Sequence, residues 1–276
     1  MLSKFYVKDH VKSALMEDIG YGDITTENLA GENDFLKAEL NTRSEGILCG
    51  CDVFKTVFET LSNDVRIKFY FKDGDGIQKG DKIADIEGPA KDLLMGERVS
   101  LNYIQRMSGI ATETRKYQDA IAPYSAKIVD TRKTTPNFRA FEKYSVKIGG
   151  GALHRFNLSD CAMIKDNHIR LAGSLTNAVN KLRESISHAH KIEVECDTFD
   201  QVKEAVAVKA DIIMLDNMSI ETMKKAVEFI NHRAIVEASG NVNLSTVNAI
   251  ASTGVDIISS SAIVAKAPTL DLALDM

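Results

Sequence analysis

The chain has 276 residues, 44% of them hydrophobic and 26% charged, with 34 Lys and Arg against 39 Asp and Glu and a net charge of -5. This composition fits a globular protein with one sizeable core or two unequal ones and excludes disordered and collagen-like chains. The negative charge argues against nonspecific binding to nucleic acid or anionic membranes and leaves small molecules as the expected partners.

The opening stretch "MLSKFYVKDHVKSALMEDIG" never gathers the apolar run of a signal peptide, and no later segment approaches a membrane span, so a cytoplasmic protein is expected. From Phe35 to Gly88, alternating runs ("LKAELNTRSEGILCG", "VRIKFYF", "KIADIEG") are separated by Gly/Asp turns and one helical pattern, "DVFKTVFETL". They predict an α+β domain on a mostly antiparallel sheet. Cys49 and Cys51 would share one face of a strand. With Cys161 and Cys196 they read as small reduced thiols rather than a metal or redox site.

Two helices are expected next, near 91–107 and 110–122. From Lys127 onward short apolar runs ("KIVDT", "AMIKD", "KIEVEC", "DIIMLD", "AIVEAS", "DIISSS") alternate with amphipathic stretches. Such repetition calls for a parallel sheet with helices outside it, either a doubly wound sheet or a β/α barrel. No GxGxxG fingerprint or Walker A loop is present, which favours the barrel. The expected domains are residues 1–108 and 109–276, with the last few residues free to return to the first.

A β/α barrel places its chemistry at the C-terminal ends of its strands. Those positions hold Asp130, Arg132 and Lys133; Lys165 and Asp166; Glu195; Asp216 and Asn217; Glu237, Ser239 and Gly240; and Ser259 to Ser261. Any one of them serves equally well as a helix cap or a solvated loop residue, but six strand ends agreeing is harder to set aside. Between Asp130 and Arg170 eight cations face four acids, an excess of four in a net-negative chain. A basic patch in a concave site suits a polyanionic small ligand. Arg139, Lys143 and Lys147 recur at near-helical spacing and fit a solvated helix face instead.

In "KIGGGALHR" three glycines before His154 and Arg155 allow close approach of backbone to a ligand or another segment. The carboxylates Glu195 and Asp216 suit sugar hydroxyls or a Mg2+ ion carried on a phosphate. "EASGN", leading into a helix near Leu244, can hold a phosphate through backbone N–H groups.

These residues resemble the quinolinate phosphoribosyltransferase family, the carboxylating nicotinate-nucleotide pyrophosphorylases of NAD biosynthesis. The resemblance is carried in order by "ALMEDIGYGDITT", "NYIQRMSGIAT", "DTRKTTPNFR", "EKYSVKIGGGALHR", "SDCAMIKDNH", "IEVEC", "IIMLDN", "VEASGN" and "GVDIIS". It implies an N-terminal α/β sandwich, an incomplete β/α barrel, and a homodimer in which Arg106 is donated across the interface, with higher oligomers open. It further implies that Arg132, His154, Arg155 and Lys165 contact the carboxylates of quinolinate and that Lys133 lies nearer the pyrophosphate. Glu195 and Asp216 would hold the ribose of phosphoribosyl pyrophosphate with Mg2+ on its diphosphate. Ser239, Gly240, Ser259 and Ser261 would serve the phosphate end. Lys133, Lys165, Glu195 and Asp216 are the expected catalytic set.

The chain departs from the family pattern twice. Asn241 stands where the family has a second glycine in "EASGG", and "SSSAIVA" (259–265) replaces "SVGALTH", putting Ser261 for a glycine and Val264-Ala265 for Thr-His. These changes bring in an alternative, the paralogue associated with molybdenum transport, acting on another base or nucleotide. Two other readings remain from the residues alone: Lys165 as the Schiff-base lysine of a barrel aldolase in a desolvated pocket, and a noncatalytic phosphosugar-binding protein.

Overall fold

The computed structural model describes residues 2–276. In chain order its elements are α1 (Lys4–Ile19), α2 (Thr26–Leu29), β1 (Phe35–Thr42), β2 (Gly46–Ile47), α3 (Cys51–Leu61), β3 (Arg66–Phe69), β4 (Gly76–Ile77), β5 (Lys82–Pro89) and α4 (Ala90–Ala120). There follow β6 (Lys127–Val129), α5 (Arg139–Ile148), β7 (Ala162–Ile164), α6 (Asp166–Ala172), α7 (Leu175–Ser185), β8 (Ile192–Cys196), α8 (Phe199–Ala207) and β9 (Ile212–Asp216). The chain ends with α9 (Ile220–Ile230), β10 (Ile235–Ser239), α10 (Val247–Ala251), β11 (Ile257–Ser259), α11 (Ala262–Ala265) and β12 (Leu272–Asp275). By contacts the described residues form two compact units, residues 2–115, 136–150 and 267–276 in the first, 116–135 and 151–266 in the second.

In the first unit a four-stranded antiparallel sheet runs β12-β1-β5-β3. Alternation along β1 buries Ala38, Leu40 and Thr42 and turns Lys37 and Glu39 outward, as a half-buried strand must. α3 is apolar on two faces. Phe54 and Phe58, four residues apart, join the sheet's core, while Val53 and Val57 pack with Val7, Val11 and Leu15 of α1. Burying each of those phenylalanines contributes roughly 2–3 kcal/mol.

Three expectations are corrected in this unit. The helices expected at 91–107 and 110–122 are one helix, α4, that passes straight through Gly109. A Cβ at Gly109 would fall on the carbonyl oxygen of Pro268, so this glycine serves a close backbone approach rather than a break. Cys49 and Cys51 do not lie on a strand. Gly50 has φ 108 and Cys51 opens α3, with Asp73 Oδ1 accepting the N–H of both Gly50 and Cys51 at 3.0 Å. All four cysteines are free, and Cys49, Cys51 and Cys196 are buried. The solvated face foreseen for Arg139, Lys143 and Lys147 holds only at Lys147, since Lys143 on α5 is 2% exposed beside the fully buried Glu142.

The second unit carries six parallel strands in the order β6-β11-β10-β9-β8-β7. All six apolar runs that the sequence singles out are strands. β6 and β7 are edges that do not pair with each other, yet residues from the ends of both line one cavity with the four strands between them. The sheet is therefore curled into a barrel left incomplete between β6 and β7, where a single bridge joins Val129 to Ala152. The helix expected near Leu244 starts at Val247 and is only five residues long. No helix among the described residues is long and apolar enough to cross a membrane.

Replacing Gly109 by Ala is expected to destabilise the protein by about 2 kcal/mol or more, because the clash is with backbone that cannot rotate away. Urea denaturation measures it; an unchanged midpoint would contradict the close approach.

Candidate active site

The period of two along a strand decides what faces the inside of the curled sheet. In β8 it puts Glu193 and Glu195 on one face, in β9 Met214 and Asp216, and in β10 Glu237 and Ser239. Cross-strand register keeps these faces together, pairing Met214 with both Glu195 and Glu237, and Asp216 with Ser239.

At the C-terminal ends of the strands lies a cavity of about 400 Å³ lined by Thr131, Arg132, Lys133, His154, Arg155, Met163, Lys165, Glu195, Met214, Asp216, Glu237, Ser239 and Ser259. Nine of the twelve residues to which the family resemblance gives a site role are therefore brought together: Arg132, Lys133, His154, Arg155, Lys165, Glu195, Asp216, Ser239 and Ser259, and Glu237, named only as a strand end, joins them. Three are not in its lining. Arg106 belongs to the first unit, where it donates from Nη1 to Ala267 O at 2.7 Å and meets Glu142 Oε1 at 3.4 Å. Gly240 acts from behind, and Ser261 begins α11 with no side-chain cap bond.

The cations line one part of the cavity and are held by different means. Arg132 and Lys133 are exposed in a tight turn in which Thr131 Oγ1 accepts the Lys133 N–H at 3.0 Å and Arg132 O accepts the Thr134 N–H at 3.0 Å. Arg155 is pinned by donating to Cys161 O at 2.8 Å. Lys165 pairs directly with Glu195, their side chains 42% and 18% exposed. A lysine so exposed and so paired is not the desolvated amine that Schiff-base chemistry requires.

Asp216 is held through an amide chain. Asn217 Nδ2 donates to Asp216 Oδ2 at 2.7 Å, and Asn241 Nδ2 donates to Asn217 Oδ1 at 3.1 Å. Asn217 and Asn241 both have φ 51, a left-handed conformation that asparagine tolerates better than most residues. Gly240, with φ 94, leaves the space Asn217 occupies: a Cβ would strike the Asn217 side chain and come within 2.8 Å of its amide nitrogen. Asn241 therefore holds a left-handed backbone angle, open also to glycine, and adds a hydrogen bond to Asn217.

At the cavity floor sits a buried cluster, with His154 and Glu237 in the lining and Glu193 behind them. His154 Nε2 lies 3.5 Å from Glu193 Oε1 and 3.4 Å from Glu237 Oε1, and the two glutamates are 1% and 2% exposed. The backbone N–H of His154 is anchored on the fully buried Asp130, whose Oδ1 accepts it at 2.9 Å. Burial alone would lower the imidazole pKa, but the two carboxylates outweigh it and push it up to about 10. Burial raises Glu193; His154 opposes that shift and the charge of Glu237 adds to it. Both shifts mean that the cluster as a unit holds a proton. The raised imidazole pKa keeps hydrogen on Nε2, where both carboxylates face it, while His154 Nδ1 lies 2.7 Å from the Arg155 backbone nitrogen. The spacing of the three groups would allow a metal ion. A ligating nitrogen must offer its lone pair, however, and here Nε2 carries hydrogen.

Glu193 was not named from the sequence, and Glu237 only as a strand end. The signal was the alternation in "IEVEC", which sends Glu193 inward with Glu195.

Gly240→Ala is expected to cost about 1–3 kcal/mol, from strain at positive φ and the collision with Asn217, whereas Asn241→Gly stays within about 0.5 kcal/mol. Chemical denaturation of both variants checks the contrast; equal effects would count against it.

Comparison with known proteins agrees with this architecture. The family model described as quinolinate phosphoribosyl transferase, N-terminal domain, matches residues 23–108, and that of the C-terminal domain matches residues 110–275. A Bacillus subtilis protein named probable nicotinate-nucleotide pyrophosphorylase [carboxylating] is 42% identical over 275 residues, covering 100% of this chain and 95% of the relative. The chloroplastic nicotinate-nucleotide pyrophosphorylase [carboxylating] of Arabidopsis thaliana is 39% identical, covering 97% and 82%. The solved structure of nicotinate-nucleotide pyrophosphorylase from Francisella tularensis superposes with a TM-score of 0.95 at 39% identity, covering 100% of this chain and 97% of that one. With its cation-lined barrel cavity and family matches over nearly its whole length, the chain belongs to the quinolinate phosphoribosyltransferase family.

Proposed function

We propose that this chain performs the reaction its relatives are named for, transferring the phosphoribosyl group of phosphoribosyl pyrophosphate to quinolinate with loss of CO2, giving nicotinate mononucleotide and pyrophosphate. The observation that carries this reading is one cavity in which Arg132, Lys133, His154, Arg155 and Lys165 meet Glu195 and Asp216. Quinolinate is a planar dianion. Guanidinium forks bind carboxylates in two-point fashion, which assigns Arg132 and Arg155 to that end with His154 beside them.

Lys165 and Glu195 neutralise each other. An arriving carboxylate competes for Lys165 and releases Glu195 towards the ribose, so that filling the base site prepares the sugar site. Departure of pyrophosphate leaves positive charge on the sugar, and Glu195 and Asp216 are placed to stabilise it while Lys133 neutralises the leaving group. The pyridine nitrogen forms the new bond. The positive charge of the pyridinium nitrogen then stabilises the electron pair left on the adjacent carbon when CO2 departs, and that carbon takes up a proton.

Mg2+ is the expected cofactor. Glu195 and Asp216 are hard oxygen donors at the cavity rim that suit an ion bound mainly through phosphates and water. When bound, it supplies further charge neutralisation at the diphosphate. Ser239, Gly240, Ser259 and Ser261 are assigned to the 5'-phosphate end, and Arg106 to a neighbouring site in a homodimer. The replaced residues Asn241 and Val264-Ala265 are absent from the cavity lining, whereas the cations assigned to quinolinate are all in it.

Asp216→Asn is expected to lower kcat/KM for phosphoribosyl pyrophosphate by about 10²-fold while quinolinate affinity changes by less than about 2-fold. Steady-state kinetics with both substrates varied and a quinolinate titration separate the two effects. A parallel loss of both would remove Asp216 from the sugar site.

A further inference from the structure

Asp216 enters the substrate cavity from the end of β9, whereas Asn217, the next residue, is absent from the lining. Asn217 nevertheless touches the carboxylate, its Nδ2 donating to Asp216 Oδ2 at 2.7 Å. No other hydrogen bond reaches that carboxylate among the described residues. The terminal torsion of an aspartate is soft, so this one bond decides how the carboxylate is turned. With Oδ2 taken, Oδ1 is left for a ligand.

Asn217 is itself held from several sides. Its backbone N–H donates to Ser239 O at 3.0 Å, its Oδ1 accepts from Asn241 Nδ2 at 3.1 Å, and Gly240, lacking a Cβ, leaves its side chain room. Asn241 is tied in turn, its carbonyl oxygen accepting from Asn243 Nδ2 and from Thr246 Oγ1, both at 3.2 Å. An amide with a donor on one side and a carboxylate on the other has a single orientation that satisfies both. Asn217 and Asn241 are exposed, where water competes for any lone hydrogen bond, and the series of ties is what keeps the amide from turning away.

We propose that Asn217 is a positioning residue for the sugar donor: it turns the Asp216 carboxylate so that Oδ1 meets the ribose hydroxyls, and Asn241 ties that setting to the turn assigned to the 5'-phosphate. This rests on the ribose role given to Asp216 above. Asn217 touches no substrate and acts only through Asp216. Ribose and 5'-phosphate are then read by one hydrogen-bonded unit rather than by two independent contacts. Quinolinate, held by the cations, is outside it.

The test is a double-mutant cycle of Asn217→Gly and Asp216→Ala, glycine being chosen because it accepts φ 51 without strain. Two quantities are read: kcat/KM for phosphoribosyl pyrophosphate, and the dissociation constant of nicotinate mononucleotide without Mg2+, a probe with the same ribose and 5'-phosphate. Asn217→Gly is expected to worsen both by roughly 10-fold while the quinolinate dissociation constant changes by less than about 2-fold, and to have no further effect once Asp216 is replaced. Asn241→Gly, which removes only the outer amide, is expected to lose roughly 3-fold on both and serves as the test if Asn217→Gly does not fold. A variant that leaves both quantities unchanged, weakens quinolinate equally, or adds its loss to that of Asp216→Ala overturns the positioning role and leaves the ribose role of Asp216 standing. If Asp216→Ala itself changes neither quantity, the ribose role falls and the positioning role with it.

Discussion

A strand inside a curled sheet offers only every second side chain to the interior, and the chemistry of this molecule depends on what occupies that face. In β8, β9 and β10 the last inward residue is Glu195, Asp216 or Ser239, open to the cavity. The inward residue two positions earlier is Glu193, Met214 or Glu237, each buried. Two of those three deeper positions carry charge where an ordinary barrel would carry aliphatic side chains. Such residues persist in a core only when a partner balances them, and here the partner is His154, held from a loop by Asp130.

Much of the fold was legible in the sequence because parallel strands buried on both faces read as short apolar runs. The same rule made their ends conspicuous, since a polar residue closing such a run lands where the loops converge. Gly109 misled because glycine inside a helical pattern looks like a break, whereas its reason is the carbonyl of Pro268, 159 positions along the chain and invisible to any local pattern. Lys143 misled because a cation at helical spacing suggests solvent, and burial depends on which neighbours the fold brings to it. Glu193 escaped notice for a different reason. Within "IEVEC" the second glutamate drew attention as the strand end, and alternation was not applied to the first.

The departures from the family pattern separate into two kinds. Asn241 adopts the left-handed angle that a glycine would hold, and its amide reaches the carboxylate of Asp216 through Asn217. It adds polar support at a backbone angle that glycine also tolerates. Val264 is buried on the short helix α11 and Ala265 is exposed, so neither supplies a polar side chain in place of Thr-His. The serines before them are tied into the barrel, Ser259 Oγ reaching Ala238 O at 3.5 Å and Ser260 Oγ reaching Val242 O at 3.3 Å.

The central claim is that the site joins sugar transfer to the loss of one particular carboxylate. It is tested most directly with two preparations of quinolinate, each labelled at one carboxyl carbon, incubated with the protein and Mg2+ with and without phosphoribosyl pyrophosphate. The account predicts labelled CO2 only from the carboxylate beside the ring nitrogen and only when phosphoribosyl pyrophosphate is present. Release from the other carboxylate, or release without the sugar donor, would contradict it.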